Sequence, residues 1–308
     1  MSRNEDVGSA RPDTASQLTI QQVSRLLDVP APTIRSWERR YGVPQANRSI
    51  GGHRRYSDEQ VRGLRRMRDA ISRGQPAAEA AILAKTVQLR AQEASPLIDG
   101  LLAAALRLDP RAVTASLEAA HAALGLDAAV DDVLFPALRR IGRDWESGRC
   151  DVAHEHLAAE AARNWLTRMP EVPRSDGRRP GPVLMTGGPD DHHILGLEAL
   201  AALLRLRGSD VRVLGVRTPA ESVVFTIKEM GPAALVLVSH LPVNRRSAVH
   251  ALRLAAECAV PIFYAGAAFE TSQARANVPG TYLGDSVTAA ADTLAAALAQ
   301  APDAPLSP

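Results

Sequence analysis

Apolar positions along the chain change their period once. Up to residue 169 they recur at helical spacing, and from residue 183 they gather in short runs separated by helical stretches. The first region predicts a helix over 17–27 with Thr19 as N-cap, and a second over 31–41 entered through Pro30-Ala31-Pro32. A glycine-containing loop follows, then a helix over 57–73, and Gly74-Gln75-Pro76 breaks the chain. Helices over 77–92, 95–107, 110–123, 127–147 and 151–169 fit the rest, with Ser95-Pro96 and Asp109-Pro110 as N-cap and N1 pairs.

The second region predicts strands at 183–186, 211–215, 234–239, 262–265 and 281–283, with helices between them. Five β-α repeats imply a parallel, doubly wound sheet, and the flavodoxin-like (Rossmann-type) order 2-1-3-4-5 is the expected arrangement. Residues 170–182 (PEVPRSDGRRPGP) read as a flexible linker between the regions, and 1–16 and 301–308 as disordered tails. The expected layout is a small helical head at 17–76, a helical bundle at 77–169 and an α/β domain at 183–300.

Composition narrows the class. A chain of 308 residues fits two or three domains, and 46% apolar with 23% charged residues argues against bulk disorder. Aromatics are only 4%, so the core must rest on Ala, Leu and Val. No run of apolar residues is long enough to span a membrane, and the polar start has no apolar signal core. Cys150 and Cys258 are the only cysteines, too few for a disulfide framework, so a reducing cytoplasm is expected. The net charge of +2 hides an asymmetry: residues 17–75 hold twelve arginines against five acidic residues, or +7, leaving −5 on the rest. A basic head on an acidic body points to nucleic acid held by the head.

The head has the residues for that contact. Two short helices joined by Asp28-Val29-Pro30 form a helix-turn-helix. The second helix carries Thr33, Arg35, Arg39 and Arg40, while Ile34 and Trp37 mark its inward face. Arg48-Ser49-Ile50-Gly51-Gly52-His53-Arg54-Arg55-Tyr56 follows as a basic loop, in which glycine permits close approach to a phosphate backbone and arginine supplies charge. The DNA-contact candidates are Thr33, Arg35, Arg39, Arg40, Arg48, Arg54, Arg55 and Tyr56. From T-I-x-x-V-x-x-L through T-I-R-x-W-E-R-R-Y-G to G-G-H-R-R-Y-S, the segment closely resembles the MerR-type winged helix-turn-helix. The resemblance implies binding to double-stranded operator DNA, usually as a dimer.

The α/β domain carries a second set. After its first strand comes Asp191-x-His193-x-x-Gly196; its third strand ends in Ser239-His240-Leu241 and its fourth in Ala265-Gly266. In order 2-1-3-4-5 these lie at the carboxyl ends of neighbouring strands, where such sheets bind ligands. A histidine on such a loop can ligate a soft metal centre, and an aspartate two residues earlier can orient the imidazole and raise its basicity. Small residues after strands 3 and 4 leave a slot for a long ligand tail. Together these resemble the cobalamin-binding domain of methionine synthase and the mutases. The resemblance implies His193 as lower axial cobalt ligand, Asp191 behind it, and Gly196, Ser239, Leu241 and Gly266 along the nucleotide-tail slot. Ala265 stands where that family often has a further glycine. His192 is a competing ligand that motif register disfavours, and His240 reads as a pocket-rim residue.

The bundle supplies a third signature. Trp145 ends one expected helix, and Glu155-His156 lies on the next. This W-x9-E-H spacing matches cobalamin-dependent photoreceptor regulators of the CarH/LitR type, which the chain resembles over nearly its full length. The resemblance implies a winged helix-turn-helix, a four-helix-bundle cap and a cobalamin-binding α/β domain. It also implies adenosylcobalamin as chromophore, with Trp145, Glu155 and His156 over its upper face, a homo-oligomer (dimer or tetramer), and repression of carotenoid genes without substrate turnover. One departure is Glu146 directly after Trp145: no histidine stands there to take the upper face of cobalt after photolysis, which leaves His154, His156 or water. Cys150 and His154 alone are too few for a structural zinc site. Two alternatives stay open. One is a regulator sensing cobalamin itself, or independent of ligand. The other is a methyltransferase or mutase component, against which the basic head and the lack of a barrel-length segment speak.

Overall fold

The computed structural model describes residues 18–49, 51–72, 74–173 and 180–300. The expected tails and the middle of the expected linker lie outside these residues. The chain divides into two compact units between Gln92 and Glu93.

The first unit opens with β1 (Leu18–Thr19), α1 (Ile20–Leu27) and α2 (Ala31–Tyr41). Thr19 caps α1 as expected: its hydroxyl accepts from the Gln22 N–H at 3.3 Å, and the Gln22 side chain accepts from the Thr19 N–H at 2.8 Å. The helix starts at Ile20 rather than 17 because Leu18 and Thr19 pair with Tyr56 and Arg55. Left-handed Asp28 (φ 53°) ends α1, and Gly42 (φ 68°) ends α2. The basic loop is a hairpin between β2 (Asn47–Arg48) and β3 (Arg54–Tyr56), giving an antiparallel sheet of order β1-β3-β2. Then come α3 (Asp58–Ser72) and the start of α4 (Ala77–Leu106). Val23, Leu27, Ile34, Trp37, Leu64, Met67, Ala80 and Ala84 share this unit's core.

The expected break before Ser95-Pro96 is absent, and α4 runs through Pro96 without interruption. Proline removes one ladder hydrogen bond, but Ala91, Ala94, Leu101, Leu102, Ala104 and Ala105 are all buried on either side of it, and packing overrides the local signal. The second unit continues with α5 (Pro110–Ala128), capped by the Asp109 carboxylate on the Arg111 and Ala112 N–H groups at 3.0 Å each. Gly125 (φ 79°, ψ 166°) kinks the chain where a helix boundary is expected. A π-helical stretch, Ala129–Leu134, leads into α6 (Phe135–Glu146), and α7 (Val152–Leu166) starts from an Asp151 cap.

Next come β4 (Val183–Gly187), α8 (Leu195–Leu206), β5 (Val211–Gly215), α9 (Ala220–Met230) and β6 (Ala234–Val238). The unit ends with α10 (Arg245–Ala256), β7 (Ile262–Ala265), the short α11 (Ser272–Arg275), β8 (Thr281–Tyr282) and α12 (Val287–Gln300). The sheet is parallel in order β5-β4-β6-β7-β8, which is the expected 2-1-3-4-5. Side chains alternate across it. Val183, Met185, Val236 and Val238 face α8, α12 and the bundle, joining Leu101, Leu134, Trp165 and Leu294 in one core. Leu184, Leu235, Leu237 and Tyr264 face the other way, with α9 and α10 residues. Bundle and sheet are also tied by polar contacts: Asp131 accepts from Ser286 Oγ (2.6 Å), Val287 N (2.9 Å) and Thr288 N (3.2 Å) at the start of α12. Arg207 meets both Asp127 and Asp292 at 2.9 Å.

Candidate functional site

The loop after β4 turns tightly: Gly188 N–H donates to the Val238 carbonyl (2.9 Å) and Asp191 N–H to the Gly188 carbonyl (3.0 Å). This turn sends Asp191 inward, with 0% exposure. Its Oδ1 accepts from His193 N–H at 2.9 Å and lies 2.8 Å from His193 Nδ1. Its Oδ2 accepts from Ser239 Oγ at 3.2 Å and from the His240 N–H. Burial opposes ionisation of this carboxyl, but the hydrogen bonds from His193 and His240 and the imidazole charge outweigh it, and its pKa falls well below the usual carboxylate range. Asp191 in turn raises the His193 pKa, against a smaller desolvation effect. With Nδ1 held by Asp191, the half-exposed His193 ring has Nε2 left as its ligating nitrogen.

Around this pair the sheet leaves little room for side chains. Ser239 N–H donates to the Ala265 carbonyl at 3.0 Å, and its carbonyl accepts from Ala268 N–H at 3.2 Å. Gly266 (φ 105°) lies so close that a Cβ there would sit 2.0 Å from the Ser239 carbonyl oxygen, so this position requires glycine. Gly196 borders His240, and Leu241 is partly exposed beside it in sequence. Thus Asp191, His193, Gly196, Ser239 and Gly266 come together at the carboxyl edge of the sheet. The remaining His193 Nε2, in a cradle bordered by Gly196 and Gly266, is a donor that can hold a metal macrocycle.

Two contacts beside the pair have no sign in the sequence. His240, read as a pocket-rim residue, stacks its ring on His193, and burial lowers its pKa. Asn244, nearly buried, donates to the Asp190 carbonyl at 2.9 Å and pins the loop. An amide two residues beyond Pro242 carries no sequence signal for this role.

In the bundle, Trp145, next to last in α6, has 48% of its surface exposed, unusual for an indole beside a large core. Glu155, in the first turn of α7, is close enough to help raise the His193 pKa. His156 is mostly exposed, its Nε2 3.7 Å from Glu155 Oε2. His154 instead belongs to the α7 capping box, its Nδ1 3.1 Å from the Asp151 N–H. Cys150 Sγ lies 3.7 Å from the Ile141 carbonyl.

In the first unit, Arg35, Arg39 and Arg40 are exposed on α2, Thr33 is partly exposed, and Ile34 and Trp37 are buried. Arg40 stacks over the Tyr41 ring at 5.3 Å. Arg48 is exposed at the hairpin and donates to the Gly52 carbonyl at 3.3 Å. Arg54 Nε pairs with Glu38 Oε2 at 2.6 Å, tying the hairpin to α2, and Arg55 is half-buried. Tyr56 is corrected: it is 0% exposed in the core, its hydroxyl shut away from water, so it meets no DNA in this conformation. Pairing of β3 with β1 turns its ring inward.

Residues 18–86 match the MerR HTH family regulatory proteins, and residues 97–169 and 181–300 each match a B12 binding domain family. The chain is 32% identical over 274 residues to the HTH-type transcriptional repressor CarH of Myxococcus xanthus, covering 83% of this chain and 90% of that one. It is 33% identical to the HTH-type transcriptional repressor CarA of the same organism, over 71% of this chain and 75% of that one. Among solved structures, the Methanosarcina barkeri monomethylamine corrinoid protein shares the fold of the second unit. Its TM-score is 0.53 at 17% identity, covering 66% of this chain and 99% of that one. No helix among the described residues is long and apolar enough to cross a membrane.

Proposed function

This chain belongs to the CarH/CarA family of helix-turn-helix repressors that join a MerR-type head to B12 binding domains, and from that premise we propose that it is a light-responsive repressor with adenosylcobalamin as chromophore. It acts in the cytoplasm on double-stranded operator DNA, as a homo-oligomer, and turns over no substrate. The observation that carries the cofactor reading is the Asp191–His193 pair, which offers one oriented imidazole nitrogen at the sheet edge. His193 would hold the cobalt through Nε2, with Asp191 on Nδ1 fixing its tautomer and direction. Gly196, Ser239, Leu241 and Gly266 would line the slot for the nucleotide tail, and Trp145, Glu155 and His156 would lie toward the ligand's other face. When bound, adenosylcobalamin supplies a cobalt–carbon bond that visible light breaks.

The chain converts that event through its own contacts. Trp145 would pack against the bound group in the dark and have no such partner after light, so the ligand would bias the assembly only by the contacts it makes in one state. Thr33, Arg35, Arg39, Arg40, Arg48, Arg54 and Arg55 form the DNA face of each head. A single small head binds weakly, and linking several raises affinity steeply. A cobalamin-sensing regulator without photoswitching is a second reading, favoured by Glu146 in place of a histidine after Trp145 and by the use of His154 in the α7 cap. Absorption spectra of the full chain with adenosylcobalamin, before and after green light, separate the two. The proposal expects tight binding in the dark and a lasting spectral change on illumination. Binding without a light-induced change supports the second reading, and no binding refutes both.

A further inference from the structure

We propose that His240 is a positioning residue for the His193 imidazole, its ring acting as a plate that fixes the plane in which Nε2 is presented. The inference rests on the cobalamin reading and adds a residue that motif spacing does not assign. The rings of His193 and His240 have centroids 5.3 Å apart and planes 15° from parallel, an offset stack. His193 has a single ring anchor, Nδ1 on Asp191 at 2.8 Å. One hydrogen bond fixes a point on a ring but leaves it free to rock about that axis. A flat surface against its face removes this motion.

His240 is itself well fixed. Its backbone N–H donates to the same Asp191 carboxylate, and its Cε1 abuts Gly196. Its Nδ1 is shut away from water and has no hydrogen-bond partner. The contribution of the side chain is therefore the face of its ring rather than that nitrogen. The backbone N–H to Asp191 survives every substitution at this position, so side-chain variants isolate the stack. The carboxylate thus gathers both partners: it binds the edge of one imidazole and the backbone beneath the other.

The test compares full-length wild type, His240→Ala and His240→Phe, each titrated with adenosylcobalamin in the dark. Visible absorption reports affinity and whether the lower face of cobalt carries nitrogen. Electron paramagnetic resonance of the cob(II)alamin-loaded proteins with ¹⁵N-labelled histidine then identifies that nitrogen as the protein's. His240→Ala should bind about tenfold more weakly and show a mixture of ligated and unligated lower faces. His240→Phe keeps a flat ring and should stay close to wild type in both. Thermal unfolding of the apo-proteins shows whether either variant is folded, and His240→Phe alone decides if His240→Ala is not. A His240→Ala protein matching wild type overturns the role, as does a folded His240→Phe that loses ligation. A wild type that binds without histidine ligation overturns this role alone, whereas a wild type that does not bind overturns the cobalamin reading as well.

Discussion

Four hydrogen bonds converge on the fully buried Asp191 carboxylate. Removing its charge while keeping its shape tests how much they contribute. Asp191→Asn should lower apo-protein stability by about 1.5–3 kcal/mol near neutrality, the range for hydrogen bonds to a charged group, measured by urea unfolding. The pH dependence has a definite sign. The folded pKa of His193 is raised, so its share is present below about pH 6.5, the ordinary histidine value, and fades as pH rises through the higher folded value. The folded pKa of Asp191 is lowered, so its share is present above about pH 3.9 and fades as pH falls toward the lower folded value. The gap between wild type and Asp191→Asn should therefore be wider at pH 5.5 than at pH 9; a gap that widens with pH contradicts the pairing. His193→Ala should abolish tight cobalamin binding or return the ligand's own base to cobalt, read by absorption. An unchanged spectrum and affinity would move the ligand role to His192. The Asp-x-His-x-x-Gly part of this site was legible because its hydrogen bonds span two residues. The His240 stack was not, because it joins residues 47 positions apart. Tyr56 misled for a related reason: two arginines precede it, and only strand pairing shows that it turns inward.

The elements show the same division. Alternating strands and their order were readable because fully buried parallel strands leave compact apolar runs such as Ala-Leu-Val-Leu-Val at 234–238. Thr19 and Asp109 were readable as caps because the motif is local. Pro96 was misleading, since burial of α4 on both sides decides its course. The π-helical stretch had no sequence sign. It carries Asp131, whose carboxylate caps α12 from 155 residues away. A carboxylate at a helix N-terminus satisfies free N–H groups and opposes the positive end of the dipole. Asp131→Ala should cost about 1–2 kcal/mol, seen as a lower thermal midpoint; an unchanged midpoint contradicts the latch. On α2, which the proposal places against DNA, Arg35 and Arg39 are exposed. Replacing either with Ala should reduce the salt slope of log K by about 0.9 for each phosphate no longer neutralised. A slope equal to wild type in both variants removes them from the interface.

At the scale of the molecule, the Pro- and Gly-rich stretch at 170–182 separates two sequence patterns, yet the residues before and after it share one core. Its start is held down, with Glu171 near Arg205 at 3.4 Å and Val172 N–H on the Arg205 carbonyl. Sequence composition marks where a chain loses regular structure, but it cannot show which apolar faces meet across the gap. The basic charge of the head was legible at once, because it needs only counting. In the proposed mechanism, function is divided between the units: the first would carry the DNA face, and the second carries the Asp191–His193 pair and the exposed Trp145. On that proposal the signal would be read as a change in assembly or DNA affinity. The most direct measurement is operator binding together with solution size for the full chain bearing adenosylcobalamin, in the dark and after green light, alongside Trp145→Ala. The proposed mechanism predicts a larger, tightly binding species in the dark that becomes smaller and releases DNA once lit, with Trp145→Ala already weakened in the dark. Equal size and equal DNA affinity in both conditions, with photolysis confirmed by absorption, would contradict it.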